Sequence, residues 1–255
     1  MTFGSRLRAL LGLDFDFDVQ LRGDALSTID GRFVVGARPT EEDIPTLRDA
    51  GVSHVVSCLG EHELRKVRFL KDHVTTLAVP VRDAMDQDIA AWFPRVFDFD
   101  AEAPSGARIL VHCEAGVSRS ATLTAGLLMR REGRSFFDAF MKLRAGRPGV
   151  LPNIGFASQL QRLERQLDAL GGGRNAPRRR ERASLRSIPS RRCTAPTPAR
   201  ESPSSLTRYL REVCHAPVEE ELLQQALARH DDDAPEALRA LFGGEIPRVV
   251  QGVRL

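Results

Sequence analysis

Only three of the 37 basic residues are lysines (Lys66, Lys71 and Lys142), and only four residues are cysteines. The arginine bias is attributed to a GC-rich genome rather than to function. No apolar run approaches the ~20 residues of a membrane-crossing helix. The opening stretch MTFGSRLRALLGLDFDFDVQ has too short an apolar part for a secretory leader. Acids also stand where a small-residue cleavage site belongs, so a cytoplasmic location is expected. Cys58, Cys113, Cys193 and Cys214 are too few and too unevenly spaced for a disulfide framework. They include no CxxC pair of zinc type. His54, His62 and His73 are scattered without ligand spacing, so neither a metal nor a cofactor is expected. No internal repeat is evident.

What is present is unevenly charged. The net +3 of the chain divides into +7 for residues 171–205, −3 for 206–255 and −1 for the rest. The basic segment GGGRNAPRRRERASLRSIPSRRCTAPTPARESPSS has few large apolar residues to offset its ordering entropy and reads as a disordered linker. Contact of this linker with nucleic acid or an acidic membrane is not favoured, because no aromatic is interleaved for base stacking. Residues 1–19 form an N-terminal extension, 20–170 a globular domain, and 206–255 a small helical region. In that last region Leu222, Leu223 and Leu227, then Leu238, Leu241 and Phe242, give two amphipathic helices, the second capped by Asp233. The region reads as a helical appendage that binds a protein partner or the linker.

Within residues 20–170, short β-like runs alternate with helical patterns. GRFVVG, VSHVVSCL, TTLAVPV and ARILVHC read as strands. TEEDIPTLRDAG is a helix capped by Thr40 and Asp43, and DIAAWFPRVFDFDAEA repeats apolar residues at helical spacing. SRSATLTAGLLMRREG, SFFDAFMKLRAG and NIGFASQLQRLERQLDAL are three further helices. The implied architecture is α/β, a mostly parallel sheet flanked by helices, with the helical C-terminal appendage.

The stretch LVHCEAGVSRSAT lies where a buried strand gives way to a helix, the place where α/β sheets bind ligands. Small residues (Ala115, Gly116, Ser118) let the backbone curl so that successive N–H groups converge on an anion. Arg119 can fork two hydrogen bonds to a tetrahedral oxyanion. The same positive field favours the thiolate of Cys113 as a nucleophile.

HCEAGVSRS resembles the HCxxGxxR[ST] signature of the protein tyrosine phosphatase superfamily, in its dual-specificity branch, and the similarity extends over about residues 31–170. The resemblance implies that Cys113, Arg119, Ser120 and His112 form the catalytic set. His112 would tune the nucleophile, and Ser120 would donate to its sulfur. Residues Glu114, Ala115, Gly116, Val117, Ser118 and Arg119 would bind phosphate. Among Asp83, Asp86 and Asp88, the family's position for the acid, just after a strand and ahead of an aromatic pair (here Trp92–Phe93), implies Asp83. Asp88 is the better N-cap and Asp86 a solvated loop charge. Asn153 matches a supporting asparagine and also suits a helix cap. Arg147 is assigned no chemistry. Cys58 matches a region where some superfamily members form a reversible disulfide with the nucleophile, although the reading as a small apolar core cysteine is the favoured one.

Glu114 and Val117 inside the loop argue against inositol-lipid preference, and the compact domain suggests a pocket shallow enough for phosphoserine and phosphothreonine as well as phosphotyrosine. The expected activity is therefore hydrolysis of these groups in proteins through a cysteinyl-phosphate. Alternatives are a phosphatase of a non-protein phosphoester (phospholipid, phosphorylated polysaccharide or RNA end), a phosphoprotein-binding pseudophosphatase, or a rhodanese- or arsenate-reductase-like thiol enzyme.

Overall fold

The computed structural model describes residues 26–172, 204–216, 218–230 and 233–242. The N-terminal extension and residues 173–203 of the Arg-rich linker lie outside the described residues. Five strands, β1 (Leu26–Thr28), β2 (Phe33–Gly36), β3 (Val52–Leu59), β4 (Thr75–Pro80) and β5 (Arg108–His112), form one sheet. Their order is β1-β2-β5-β3-β4. Only β1 runs antiparallel to its neighbour. β3 and β5 sit inside the sheet with helices on both faces, which explains why they read as nearly continuous apolar runs.

One face is covered by α1 (Ile44–Asp49), α2 (Glu61–Leu64) and the 3-10 segment Arg65–Asp72, packing Leu47, Val67 and Leu70 on Val34, Val55 and Leu110. The capping pair expected at Thr40 and Asp43 is present: Thr40 N and Oγ1 donate to Asp43 Oδ2 at 2.7 and 2.9 Å. The other face carries the larger core, built from α3 (Phe93–Glu102), α4 (Arg119–Glu132), α5 (Phe136–Gly146) and α6 (Ile154–Leu167). α4 is buried without a break from Arg119 to Met129. Gly126 in its middle makes room for Phe93, whose Cε1 would stand 2.3 Å from any Cβ there. α4 ends at Gly133, whose left-handed φ of 63° closes the helix.

The C-terminal region is more than an appendage. A helical segment, α7 (Ser205–Arg208) continued by the turn Tyr209–Val213, precedes α8 (Glu220–Arg229) and α9 (Ala234–Leu241). Ser204 caps α7 by accepting from Thr207 N, so helical structure begins inside the stretch read as linker. Tyr209 is fully buried in the same apolar cluster as the sheet. Its ring lies 5.5 Å from that of Phe136 and 5.1 Å from that of Phe140. Leu223 and Leu227 face inward in α8, but Leu222 is exposed. Asp233 caps α9 as expected, accepting from Glu236 N at 3.1 Å. Among the described residues no helix is long and apolar enough to cross a membrane.

Arg32, at the entry to β2, ties the sheet to the end of α3. Its Nε meets Asp100 Oδ1 at 2.6 Å, its Nη1 donates to Pro104 O at 2.8 Å, and Arg131 Nη1 reaches Asp100 Oδ2 at 2.9 Å. Both Arg32 and Asp100 are buried, and removing one member of a buried pair strands the other. Arg32→Ala is expected to lower the unfolding free energy by about 3 kcal/mol in urea titrations. The double change Arg32→Met/Asp100→Leu should recover most of that loss; equal losses in the single and double variants contradict this account.

Candidate active site

β5 ends at His112 and α4 begins at Arg119, leaving residues 113–118 to make the turn. Gly116 takes φ +71°, and a Cβ there would come within 2.6 Å of the Gly36 carbonyl and 2.8 Å of Arg147 Nη2. Both the left-handed backbone and the close approach demand glycine.

The loop carbonyls are all taken up from outside. Glu114 O accepts from Arg38 N at 3.1 Å, Val117 O from Leu151 N at 2.9 Å, and Ser118 O from Thr122 N at 2.9 Å. Ala115 O and Gly116 O accept from Arg147 Nη2 and Nε at 3.3 and 2.9 Å. In a planar trans peptide each C=O points opposite the following N–H, so the amides of residues 115–119 turn inward toward Cys113. Gly116 N donates to Cys113 Sγ at 3.2 Å, and Ser120 Oγ lies 3.2 Å from the same sulfur. Convergent amides at the head of a 14-residue helix form a site that accepts an anion. The Glu114 side chain points away into a pair with Arg38 Nε at 2.9 Å.

The Arg119 side chain is buried and oriented by three oxygens. Nη1 donates to Glu63 Oε2 at 3.2 Å and to Val81 O at 3.3 Å, while Nε faces Asp83 Oδ2 at 3.6 Å. Burial pulls its pKa down, but the charges of Cys113, Asp83 and Cys58 and the bond to Glu63 outweigh this and raise it. Glu63 also accepts from Gly60 N at 2.8 Å. Burial pushes its pKa up, yet the Gly60 and Arg119 hydrogen bonds leave it lowered overall.

Asp83 follows β4 and reaches the same loop. Its Oδ1 accepts from Ser118 Oγ at 2.8 Å and from Asn153 Nδ2 at 2.9 Å. Asn153 also caps α6, its Oδ1 accepting from Phe156 N at 3.0 Å. Asp88 takes the capping role, accepting from Ala91 N at 3.1 Å. Asp86 lines a groove beside α6, away from Cys113. Cys58 is the last residue but one of β3, and the pairing of Ser57 with His112 brings it beside Cys113, the residue that follows β5. It is fully buried, and burial first, then the charge of Cys113, raises its pKa well above the usual value.

Sequence reasoning missed Glu63, Ser57 and the part played by Arg147. Glu63 had a local signal, the three-residue spacing from Gly60 that suits a cap. Arg147 had none, because the carbonyls it holds are 31 and 32 residues away.

His112 is buried, with Nδ1 3.3 Å from Cys113 O and Nε2 2.8 Å from Ser57 Oγ. A carbonyl can only accept, which assigns the proton to Nδ1 and leaves Nε2 to accept from Ser57. Burial is the main cause that lowers its pKa from 6.5 to about 4, with Arg38 and Arg119 adding to it against the Cys113 carbonyl bond. The unfolded chain therefore binds this proton first. The stabilisation is whole above pH 6.5 and is lost as pH falls toward 4. Melting temperature is expected to fall between pH 7 and pH 4.5, and to fall less in His112→Gln; parallel curves for the two proteins contradict the assignment.

Residues 34–166 match the family model described as dual specificity phosphatase, catalytic domain. The protein-tyrosine-phosphatase MKP1 of Arabidopsis thaliana is 34% identical over 145 residues, 56% of this chain and 18% of that protein. Dual specificity protein phosphatase 19 of Mus musculus is 31% identical over 140 residues, 54% of this chain and 62% of that protein. The chain thus spans less than two thirds of the length of either relative. The crystal structure of human DUSP28 superposes with a TM-score of 0.52 at 30% identity, covering 57% of this chain and 96% of that one. With more than half of its length inside the family model, and with a Cys–Arg loop between β5 and α4, this chain belongs to the dual specificity phosphatase catalytic-domain family.

Proposed function

We propose that this chain is a cysteine-dependent phosphatase of the cytoplasm that hydrolyses phosphotyrosine and phosphoserine/threonine in proteins. The observation that carries the reading is the loop between β5 and α4, where Gly116 N donates to Cys113 Sγ while the carbonyls of residues 114–118 are bonded on its outer side. The thiolate of Cys113 attacks phosphorus while Arg119 and the loop amides hold the three equatorial oxygens. Asp83 passes its proton to the departing ester oxygen, so the P–O bond breaks as the S–P bond forms. In the second step the Asp83 carboxylate takes a proton from water, whose oxygen displaces sulfur and releases inorganic phosphate. Ser120 donates to the departing thiolate, and Asn153 and Ser118 fix the acid by their bonds to it.

Release of phosphate is measured with EDTA present, from p-nitrophenyl phosphate and from phosphotyrosyl and phosphothreonyl peptides. Cys113→Ser is expected to abolish turnover, and Asp83→Asn to lower kcat by about 100-fold. Persisting activity in Cys113→Ser would overturn the mechanism, and peptides left intact while the small ester is cleaved would overturn the protein-substrate class.

Cys58 is proposed as the resolving thiol of the nucleophile. Neighbouring strands lie about 4.8 Å apart, within the Cα separation that a disulfide spans. A peroxide would oxidise Cys113 to the sulfenic acid and leave as water. The Cys58 thiol would then attack that sulfur, expelling a second water and closing the S–S bond. Mass spectrometry after peroxide treatment should find a Cys58–Cys113 link, and reductant should restore activity. Accumulation of Cys113 sulfonic acid with no such link rejects the role.

A further inference from the structure

The loop that carries Asp83 is fastened to α6 at three points. Asn153 Nδ2 donates to Asp83. Gly155 receives the loop backbone so closely that a Cβ would lie 2.1 Å from Met85 O. Gln159 spans the far end, its Oε1 accepting from Ala90 N and its Nε2 donating to Gln87 O, both at 2.8 Å. The position of the proton donor is therefore inherited from the start of α6.

The C-terminal segment in turn holds α6, ahead of its first turn through Pro152 and at mid-helix through Gln161. Tyr209 Oη donates to Pro152 O at 2.6 Å, and Leu206 N donates to Gln161 Oε1 at 2.7 Å. The peptide unit joining Pro152 to Asn153 is thus gripped at both ends. Its oxygen accepts from Tyr209, and its N–H donates to Ser118 Oγ at 3.2 Å, the hydroxyl that donates to Asp83. A planar peptide transmits orientation rigidly from one end to the other. α9 also packs against α6, but among the described residues the hydrogen bond to the Pro152–Asn153 peptide from this region comes from Tyr209. A groove of about 880 Å³ lies between Met85–Asp88 on one side and His230, Asp233 and Pro235 on the other. Tyr209 is the chain's single tyrosine. Burial, with Cys214 adding, raises its pKa well above 10, so it keeps its proton and remains a donor.

We infer that Tyr209 is a positioning residue for the general acid, so that the C-terminal segment sets the geometry of Asp83 through Pro152, Asn153 and Ser118. The inference rests on the phosphatase reading above and adds a determinant from outside the matched family region. It makes the presence of residues 204–213 a condition of efficient proton transfer rather than of phosphate binding.

The test uses the full chain, wild type and Tyr209→Phe, which keeps the ring and removes only the hydroxyl. Two substrates are compared: phenyl phosphate, whose leaving oxygen needs the proton, and p-nitrophenyl phosphate, whose leaving group needs it far less. The readout is kcat/KM, which reports only the steps up to cysteinyl-phosphate formation. Tyr209→Phe is expected to lower it by about tenfold on phenyl phosphate and by no more than about threefold on p-nitrophenyl phosphate. Gln161→Ala, which cuts the second anchor without touching the buried ring, should split the two substrates in the same direction and keeps the test decisive if Tyr209→Phe folds poorly. Equal losses on both substrates, or none on either, in a variant with an intact melting transition overturn the inference while leaving the phosphatase reading in place. A wild type that turns over neither substrate removes both.

Discussion

A loop can aim five amides at one point only if the carbonyls behind them find donors elsewhere, because buried backbone groups do not go unpaired. Here the donors come from Arg38 beyond β2, Arg147 at the end of α5, Leu151 before α6, and Thr122 within α4. The α5–α6 connection is therefore as much a part of the site as the loop itself. Arg147 also reaches Ser27 Oγ at 3.0 Å, so the short antiparallel strand β1 is drawn into the same scaffold. The central place of β5 in the sheet brings these distant segments within reach of one turn.

The electrostatics follow from the same scaffold. His112 stands directly ahead of the sulfur but is neutral, so positive potential at the cradle arises from amide dipoles and from Arg119. A buried guanidinium is costly unless its hydrogen bonds are met. Glu63 and Val81 meet them on one side and Asp83 approaches on another. The donor left without a hydrogen bond among the described residues is the buried Nε, 3.6 Å from Asp83 Oδ2.

Much of the fold was legible because its signals are local. β3 matches VSHVVSCL residue for residue, and the caps at Thr40, Asn153 and Asp233 are short-range events. β1 was not legible: three residues, two half-buried and one exposed, carry no alternation. The helix at Ser205–Arg208 was hidden because one helical turn and its short continuation have no measurable period, and the burial of Ser205 and Thr207 has no signal in their residue types. In the site, the strand–loop–helix order around Cys113 and Arg119 could be read along the chain, and the resemblance singled out Asp83, which follows β4 and meets that loop through Ser118. Gly155 and Gln159 could not be read, since their partners lie 70 and 69–72 residues away and are chosen by packing.

Asn153 has two ends engaged in different tasks, its oxygen closing the first turn of α6 and its nitrogen holding Asp83. Native proteins open piecemeal, helix ends at low free energy and central strands only near global unfolding. Loosening that first turn would take away the Asn153 bond to Asp83 and leave the Ser118 bond in place, so the packing that buries Ile154 and Phe156 completely also keeps the carboxyl in its double grip.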